Sequence, residues 1–431
     1  MKLLKNTLTL ITVLLVLLLL FSCAGAGYDG DGSYGGAMMD AAGDSAPRDP
    51  SGTESDGAEP DDGEGAPEDN GQSVTLPAGM ITAGAWCDND SYSYWLEQFM
   101  QGESGGKFQS FNWGFNSQRR VKVSVKAGDS PVAGATVVAS DEEGNALFSA
   151  VTDAKGNAYL FPSDESGTVT VTSGEYSATA EFTADNRALD ISLDGAGVKL
   201  NTIEIMLVVD VTGSMGDEIS FLKAELADVI NRIAANDERA TIKLAMLFYR
   251  DTDDAVPFDY YDFTDVTAPE GMARQQAELD KQYASGGGDY PEAVDEALEL
   301  AVSKQWSTGA TTKIIFQVLD APAHNGQKYK DKLVSATEAA AEKGIRICPI
   351  ICSGASEDTE YTMREAAIYT GGTFIFVTDD SGIGGAHHDP NLPNVTVELL
   401  NSLMVRLVNG YHTGEFAPAV YWKDDPNLAT Q

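Results

Sequence analysis

Apolar runs alternate with amphipathic helical patterns from about Asn201 to residue 412. The runs TIEIMLVVDV, IKLAMLFYRD, KIIFQVLDAPAH, IRICPIIC and GTFIFV are typical of buried strands, and FDYYDFTDV is typical of an edge strand. Helices are predicted between them: one with an apolar face from Ile219 to Ile233, others near residues 268–283, 327–343 and 358–370, one containing Pro291 in its first turn, and a last one from about Asn394. This order predicts an α/β fold over residues 199–414, a doubly wound, mostly parallel, Rossmann-like sheet with helices on both faces.

Residues 119–198 have a different pattern, in which short alternating strands are separated by Gly and Asp turns. Such spacing predicts an all-β sandwich that precedes the α/β domain. The runs VAGATVVAS and TDAKGNAYLF resemble the carboxypeptidase-regulatory-like or transthyretin-like modules of secreted bacterial proteins. The resemblance implies a spacer, with a glycan-binding module as the alternative.

The amino terminus has two lysines, an apolar run over residues 8–21, and then Leu20-Phe21-Ser22-Cys23. This run is short for a membrane-spanning helix and predicts a signal peptide over residues 1–22. Its end resembles the lipobox of bacterial lipoproteins, which implies a lipid on Cys23 and a position outside the cytoplasmic membrane in the cell envelope. An uncleaved anchor is the alternative.

Residues 24–75 contain thirteen Asp or Glu and one basic residue, Arg48, with little that forms a core. The segment 23–75 is therefore predicted to be a disordered acidic tether. The whole chain has a net charge of −38, so acidity extends to the folded part. A surface of this charge excludes nucleic acid as a partner and leaves the lipid as the membrane attachment.

Three further features complete the sequence-based organisation. Residues 76–118 are rich in aromatics and Gly; they suggest packing against the next domain, or a sugar-binding face, and their role stays open. Cys87, Cys348 and Cys352 cannot form a complete disulfide framework, and the last two are predicted core thiols. Residues 415–431 are predicted to be a tail.

Oxygen-bearing side chains follow the predicted parallel strands at their carboxyl ends, where ligands bind in such sheets. Asp210, Thr212 and Ser214 follow the first strand, Asp289 lies in the GGGD loop, and Asp320 ends the central strand. Hard oxygen ligands at one edge suit Mg²⁺, with Mn²⁺ or Ca²⁺ as alternatives. Taken singly, Ser214, Asp289 and Asp320 are also explained as helix-capping or turn residues.

The strand and helix order, the Asp-x-Thr-x-Ser motif, YRD, GGGDYPE and VLDAPAH together resemble a von Willebrand factor type A domain with a metal-ion-dependent adhesion site. The resemblance implies that Thr212 and Ser214 contact a divalent cation, while Asp210 and Asp320 hold its waters. It implies an extracellular or envelope protein ligand that offers an acidic residue, and no catalysis. The alternatives are a metal-assisted hydrolase that uses the same edge, with His324, and a structural subunit of an envelope assembly.

Overall fold

The computed structural model describes residues 81–100, 111, 113–195, 198–237, 239–288, 290–309, 311–381, 387–390 and 392–429. The predicted signal peptide, Cys23, the tether and Asp289 lie outside the described residues. Among the described helices, none has both the length and the apolar character needed to cross a membrane.

Sixteen strands lie in the described residues and are numbered along the chain. They are β1 (Thr82–Trp86), β2 (Val121–Ala127), β3 (Ser130–Pro131), β4 (Thr136–Ser140), β5 (Ala146–Val151), β6 (Asn157–Leu160), β7 (Gly167–Ser173), β8 (Tyr176–Phe182), β9 (Ala188–Ser192), β10 (Thr202–Asp210), β11 (Thr241–Tyr249), β12 (Phe258–Asp265), β13 (Thr311–Leu319), β14 (Ile345–Ile351), β15 (Phe374–Val377) and β16 (Glu398–Leu399). The α-helices are α1 (Tyr92–Met100), α2 (Gly216–Asn236), α3 (Pro269–Leu279), α4 (Val294–Ser303), α5 (Gln327–Glu342), α6 (Glu357–Thr370) and α7 (Leu400–Thr413).

One large sheet has the order β12-β11-β10-β13-β14-β15-β1-β16. Strands β11, β10, β13, β14 and β15 are parallel, and β12 pairs antiparallel at one edge. The predicted α/β content with a large, mostly parallel sheet is therefore confirmed, as is the edge position of FDYYDFTDV.

Each face of this sheet has its own hydrophobic core, because successive side chains of a strand point to opposite faces. In β10, Met206 and Val208 belong to one buried cluster. Their neighbours Ile205 and Leu207 belong to the other, which also contains the apolar face of α2. Burial on both faces explains why β10 reads as an unbroken apolar run.

Two predicted helix starts differ from the structure. Helix α4 begins at Val294, so Pro291 lies before its first turn. Instead of entering the helix, Glu292 forms an isolated parallel β-bridge with Ala323. Helix α7 begins at Leu400 rather than near Asn394, because the short strand β16 comes first and pairs with β1.

The aromatic-rich segment contributes to the large sheet. Strand β1 lies between β15 and β16 and pairs antiparallel with both, so the sheet includes a strand that precedes the predicted start at residue 199. Asp88, just after β1, receives two hydrogen bonds from the fully buried guanidinium of Arg364, at 2.7 and 3.0 Å. Trp95 and Trp113 are buried, which confirms packing and excludes them from an exposed sugar-binding face.

Residues 121–192 form two further four-stranded sheets. One contains β2, β3, β6 and β9, and the other has the order β5-β4-β7-β8. Their buried residues join the same hydrophobic cluster as one face of the large sheet. Phe148 and Phe161, for example, both contact the ring of Tyr369 on α6. The two small sheets therefore pack directly on the α/β part of the chain.

Candidate functional site

The candidate site lies at the carboxyl edge of the large sheet, which we call the rim. It consists of the described loop residues 211–215, 250–257, 280–288, 290–293, 320–326 and 352–356. Asp210 is the last residue of β10, and Asp320 follows β13 directly. Because β10 and β13 are adjacent and parallel, the two carboxylates leave the sheet at the same edge.

Asp210 is fully buried, and only one of its two carboxylate oxygens has a partner. Its Oδ1 accepts hydrogen bonds from the Thr212 backbone N–H at 2.8 Å and from Thr212 Oγ1 at 2.7 Å. Its Oδ2 has no partner among the described residues. Burial raises the pKa of Asp210 to about 7, and the negative charge of Asp320 adds to the shift.

Ser214 is held by Asp320 rather than by the helix that follows. The Ser214 side chain interacts with the Asp320 carboxyl, which partly offsets the rise in the pKa of Asp320 caused by burial. Helix α2 has Met215 at its N-cap and no side-chain capping bond. The capping alternative for Ser214 is therefore not supported by the structure.

Glu292 is a third buried carboxyl at the rim. Its Oε2 has no partner among the described residues. Burial raises its pKa to about 9, and the charges of Asp210, Asp251 and Asp320 add to that shift. Gly287 shows how close Glu292 lies to the Asp-x-Thr-x-Ser motif. A Cβ added at Gly287 would be 2.8 Å from Glu292 Oε1 and 3.2 Å from Thr212 Cβ.

Glu218, in the first turn of α2, is another buried carboxyl at this edge. Its Oε1 accepts a hydrogen bond from Ser353 Oγ at 3.1 Å, and its Oε2 is unpartnered in the described part of the chain. The sequence interpretation did not select Glu218 or Glu292. The final residue of GGGDYPE marked Glu292, but its burial depends on the bridge to Ala323, which the pattern does not reveal.

The rim loops are joined by backbone hydrogen bonds. Gly213 N–H donates to Gly286 O at 3.3 Å, and Ser285 N–H donates to Val211 O at 2.9 Å. Asp254 Oδ2 accepts from Gly287 N–H at 3.0 Å. These bonds fix the GGGD loop beside the motif. The structure therefore brings Asp210, Thr212, Ser214 and Asp320 to one edge, while Asp289 of the same loop lies outside the described residues.

His324, which the hydrolase alternative would use, and His387 and His388 are each paired with an acid. His324 Nε2 lies 2.7 Å from Asp251 Oδ1, and its ring contacts Tyr329. His388 Nε2 lies 2.6 Å from Glu360 Oε2, a contact that raises the pKa of His388. His387 pairs with Asp379. These contacts are those of residues that brace loops.

The donor set of the rim fits a hard divalent cation. Three buried carboxylate oxygens lack a hydrogen-bond donor, on Asp210, Glu218 and Glu292. Burial, and to a lesser extent repulsion between the acids, raises the pKa values of Asp210 and Glu292, and a positive charge at the rim would oppose both effects. No group of three or more His, Cys, Asp and Glu side chains in the described ranges has metal-site geometry. Any cation here would therefore need the hydroxyls of Thr212 and Ser214 as well as carboxylates.

Comparison with known proteins agrees with this arrangement at the level of the domain. Residues 204–379 match the family profile of the von Willebrand factor A domain. These residues form a von Willebrand factor A domain. The domain spans β10 to β15 and contains the Asp-x-Thr-x-Ser motif, the GGGD loop and Asp320.

One curated relative is the α-protein kinase vwkA of Dictyostelium discoideum, which is 26% identical over 170 residues. That match covers 39% of this chain and 26% of the kinase, so the chain spans about a quarter of the relative's length. The activity of the whole kinase is a property of that protein.

Solved structures with partial similarity include the pilus adhesin SpaC of Lactobacillus rhamnosus GG, at 10% identity and a TM-score of 0.32, covering 48% of this chain and 30% of SpaC. The minor pilin PilB of Streptococcus sanguinis matches at 10% identity and a TM-score of 0.32, covering 67% of this chain and 93% of PilB. BatB of Bacteroides thetaiotaomicron matches at 17% identity and a TM-score of 0.25, covering 49% of this chain and 86% of BatB. Similarity this low carries no argument about function.

Proposed function

We propose that this chain is a cell-surface lipoprotein whose von Willebrand factor A domain binds a protein ligand through a divalent cation at the rim. The observation that carries the proposal is the group of buried carboxylate oxygens without donors, at the edge where the domain places its Asp-x-Thr-x-Ser motif. Water-exposed carboxylates contribute little to recognition, whereas buried carboxylates that face a cation contribute strongly.

Thr212 and Ser214 would hold the cation through their hydroxyls, and Asp210 and Asp320 would balance its charge, with Mg²⁺ as the favoured ion. Asp289 stays part of the proposed site. When bound, the cation supplies a coordination position for an acidic group of the ligand. This position lets a chain with a net charge of −38 bind an acidic partner.

Apolar side chains at the rim would add contact area around that acidic group. Three residues of the rim loops are exposed: Tyr283 at 67%, Tyr290 at 48% and Val256 at 55%. The Arg250 guanidinium donates to the carbonyls of both Val256 and Tyr283, which holds these two residues side by side. Exposed aromatics on a rigid support are the residues that contribute most to protein interfaces.

The rest of the chain would present the domain away from the membrane. In this proposal a lipid on Cys23 anchors the chain in the envelope, the acidic tether extends it, and the two small sheets are the predicted β-sandwich spacer. His324 is paired with Asp251 and its ring packs against Tyr329, and the proposal assigns it the role of bracing a rim loop.

The test is capture of envelope proteins on the immobilised chain in Mg²⁺ and in EDTA. The wild-type chain should retain a ligand in Mg²⁺ and release it in EDTA, and amidation of the ligand's carboxyl groups should prevent capture. Asp210→Asn should capture nothing. The matched control Asp217→Asn, at an exposed acid of α2, should behave as wild type. Capture that persists in EDTA would indicate a permanent assembly subunit, and capture by Asp210→Asn would remove the rim from recognition.

A further inference from the structure

A second cleft lies at the opposite end of the large sheet from the rim. It has a volume of about 460 Å³ and lies between the small sheets and the amino-terminal ends of β13 and β14. The small sheets contribute Gly134, Thr136 and Val151, and the loop before β13 contributes Trp306 and Thr308. None of the described rim residues lines this cleft.

The cleft is basic, although the chain is strongly acidic. The chain has 66 acidic and 28 basic residues, so a local excess of cations runs against its composition. Four basic side chains line the cleft: Lys304, Lys313, Lys343 and Arg346. The acids that line it are Asp153 and Glu342. Asp153 Oδ1 is occupied by the backbone N–H groups of Lys155 and Asn157, both at 2.8 Å.

Arg346 is one of two basic residues of the cleft that are buried, and the other is Lys313. Its side chain lines the cleft and the residue is only 9% exposed. No carboxylate of the described residues lies within ion-pair distance of its guanidinium, which lies 5.0 Å from the ring centroid of Tyr411. The guanidinium nitrogens are reached by solvent from the cleft, so their N–H donors are available to a ligand.

The neighbouring lysines also lack carboxylate partners. Lys313 Nζ donates to Lys343 O at 2.8 Å, and Lys343 Nζ donates to Val302 O at 2.8 Å. Burial lowers the pKa of Lys313, and the charge of Lys343 lowers it further against the opposing effect of Glu204. The two ammonium groups therefore repel one another beside Arg346.

Two other cations that the fold encloses at least in part are paired with acids. Arg364 contacts Asp88 and Glu360, at 2.7 and 2.8 Å. Lys243 contacts Glu204 at 3.1 Å. Arg346 differs from these two cations, because its guanidinium lies over the ring of Tyr411 and contacts no carboxylate of the described residues.

We propose that this cleft binds a small organic anion that carries a phosphate or carboxylate group, with Arg346 as the principal ligand-binding residue. A guanidinium offers two parallel N–H donors that match the oxygens of either group. Lys313 and Lys343 supply further charge, and the ring of Trp306 supplies an apolar surface for the rest of the molecule. This site is independent of the rim and of any metal.

The test is isothermal titration of the full chain with inorganic phosphate and, separately, with glucuronate, at about 0.15 M ionic strength to screen exposed charges. Saturable binding of one anion to one site is expected, and the anion that binds identifies the group. Arg346→Gln should weaken that binding by at least about tenfold, the effect of losing one charge-assisted contact of about 1.4 kcal/mol. The matched control Arg274→Gln, at an exposed arginine of α3, should leave it unchanged.

Lys343→Gln provides a second test at an exposed position, where folding is not at risk. The Lys343→Gln substitution should weaken anion binding. In the absence of anion, its melting temperature should differ from that of the wild type no more than the melting temperature of Arg274→Gln does. The proposal is overturned if neither anion binds the wild-type chain saturably. It is also overturned if the anion that binds the wild-type chain binds the Lys343→Gln chain with the same affinity.

Discussion

Glu365 is a carboxyl that the fold keeps out of water, and replacing it with Gln should make the protein more stable as the pH rises. The residue lies on α6 and is fully buried. Its Oε1 accepts a hydrogen bond from Ser117 Oγ at 3.1 Å, and its Oε2 has no partner among the described residues. Burial raises its pKa from 4.5 to about 8, and the bond from Ser117 only partly opposes the shift.

The sign of the effect follows from which state holds the proton. The unfolded chain releases this proton above pH 4.5, while the folded chain keeps it up to about pH 8. The group's contribution to stability is therefore complete below pH 4.5 and is lost as the pH rises to about 8. At about 1.4 kcal/mol per pH unit, the loss reaches roughly 3 kcal/mol at pH 7.

Glu365→Gln is neutral at every pH and can still accept from Ser117. Its free energy of unfolding, measured by urea titration, should gain on the wild type by roughly 3 kcal/mol between about pH 4.5 and pH 7. Glu181→Gln, at an exposed glutamate of β8, is the matched control and should show no such trend. A difference between Glu365→Gln and wild type that stays constant over this range would refute the reasoning, because it would mean that the buried carboxyl titrates normally.

Three further substitutions test the buried ion pair, the rim loop and the proposed lipid anchor. Asp88→Ala leaves the Arg364 guanidinium short of one carboxylate and should lower the free energy of unfolding by about 3–5 kcal/mol, measured by urea titration. Gly287→Ala should lower the melting temperature and weaken metal binding, because φ is +76° there and a Cβ would meet Glu292; an unchanged affinity would separate this loop from the site. Cys23→Ser should release the chain from the membrane fraction, and a lipid-labelled product of this variant would exclude the proposed anchor.

The sequence alone predicts the parallel strands of the large sheet, because these strands are buried on both faces. Such strands appear as unbroken apolar runs, and their parallel order places their carboxyl ends together. Asp210, Thr212, Ser214 and Asp320 could be selected on that rule alone, before any contact was known. The hydrogen bond between the Thr212 hydroxyl and Asp210 then followed from the structure.

Other features depend on contacts that no local pattern encodes. Strand β1 has the sequence TAGAW, which is short and lacks alternation, and it joins the sheet through β15, nearly 300 residues later. The ion pair of Asp88 with Arg364 spans 276 residues. Glu292 looked like part of a helix start, because Pro291 is favoured there. Its bridge to Ala323 instead places a carboxyl at the rim.

The central claim is that the rim binds a divalent cation, and calorimetric titration of the chain with Mg²⁺, repeated with Mn²⁺ and Ca²⁺, tests it most directly. We expect one saturable site, with a rise in melting temperature that EDTA reverses. Metal at about 100 times its dissociation constant should add ~2.7 kcal/mol to the stability of the folded chain. Asp210→Asn should lose the binding heat and remain folded, whereas Asp217→Asn should keep it. Absence of divalent-ion binding to the wild-type chain would contradict the proposed function.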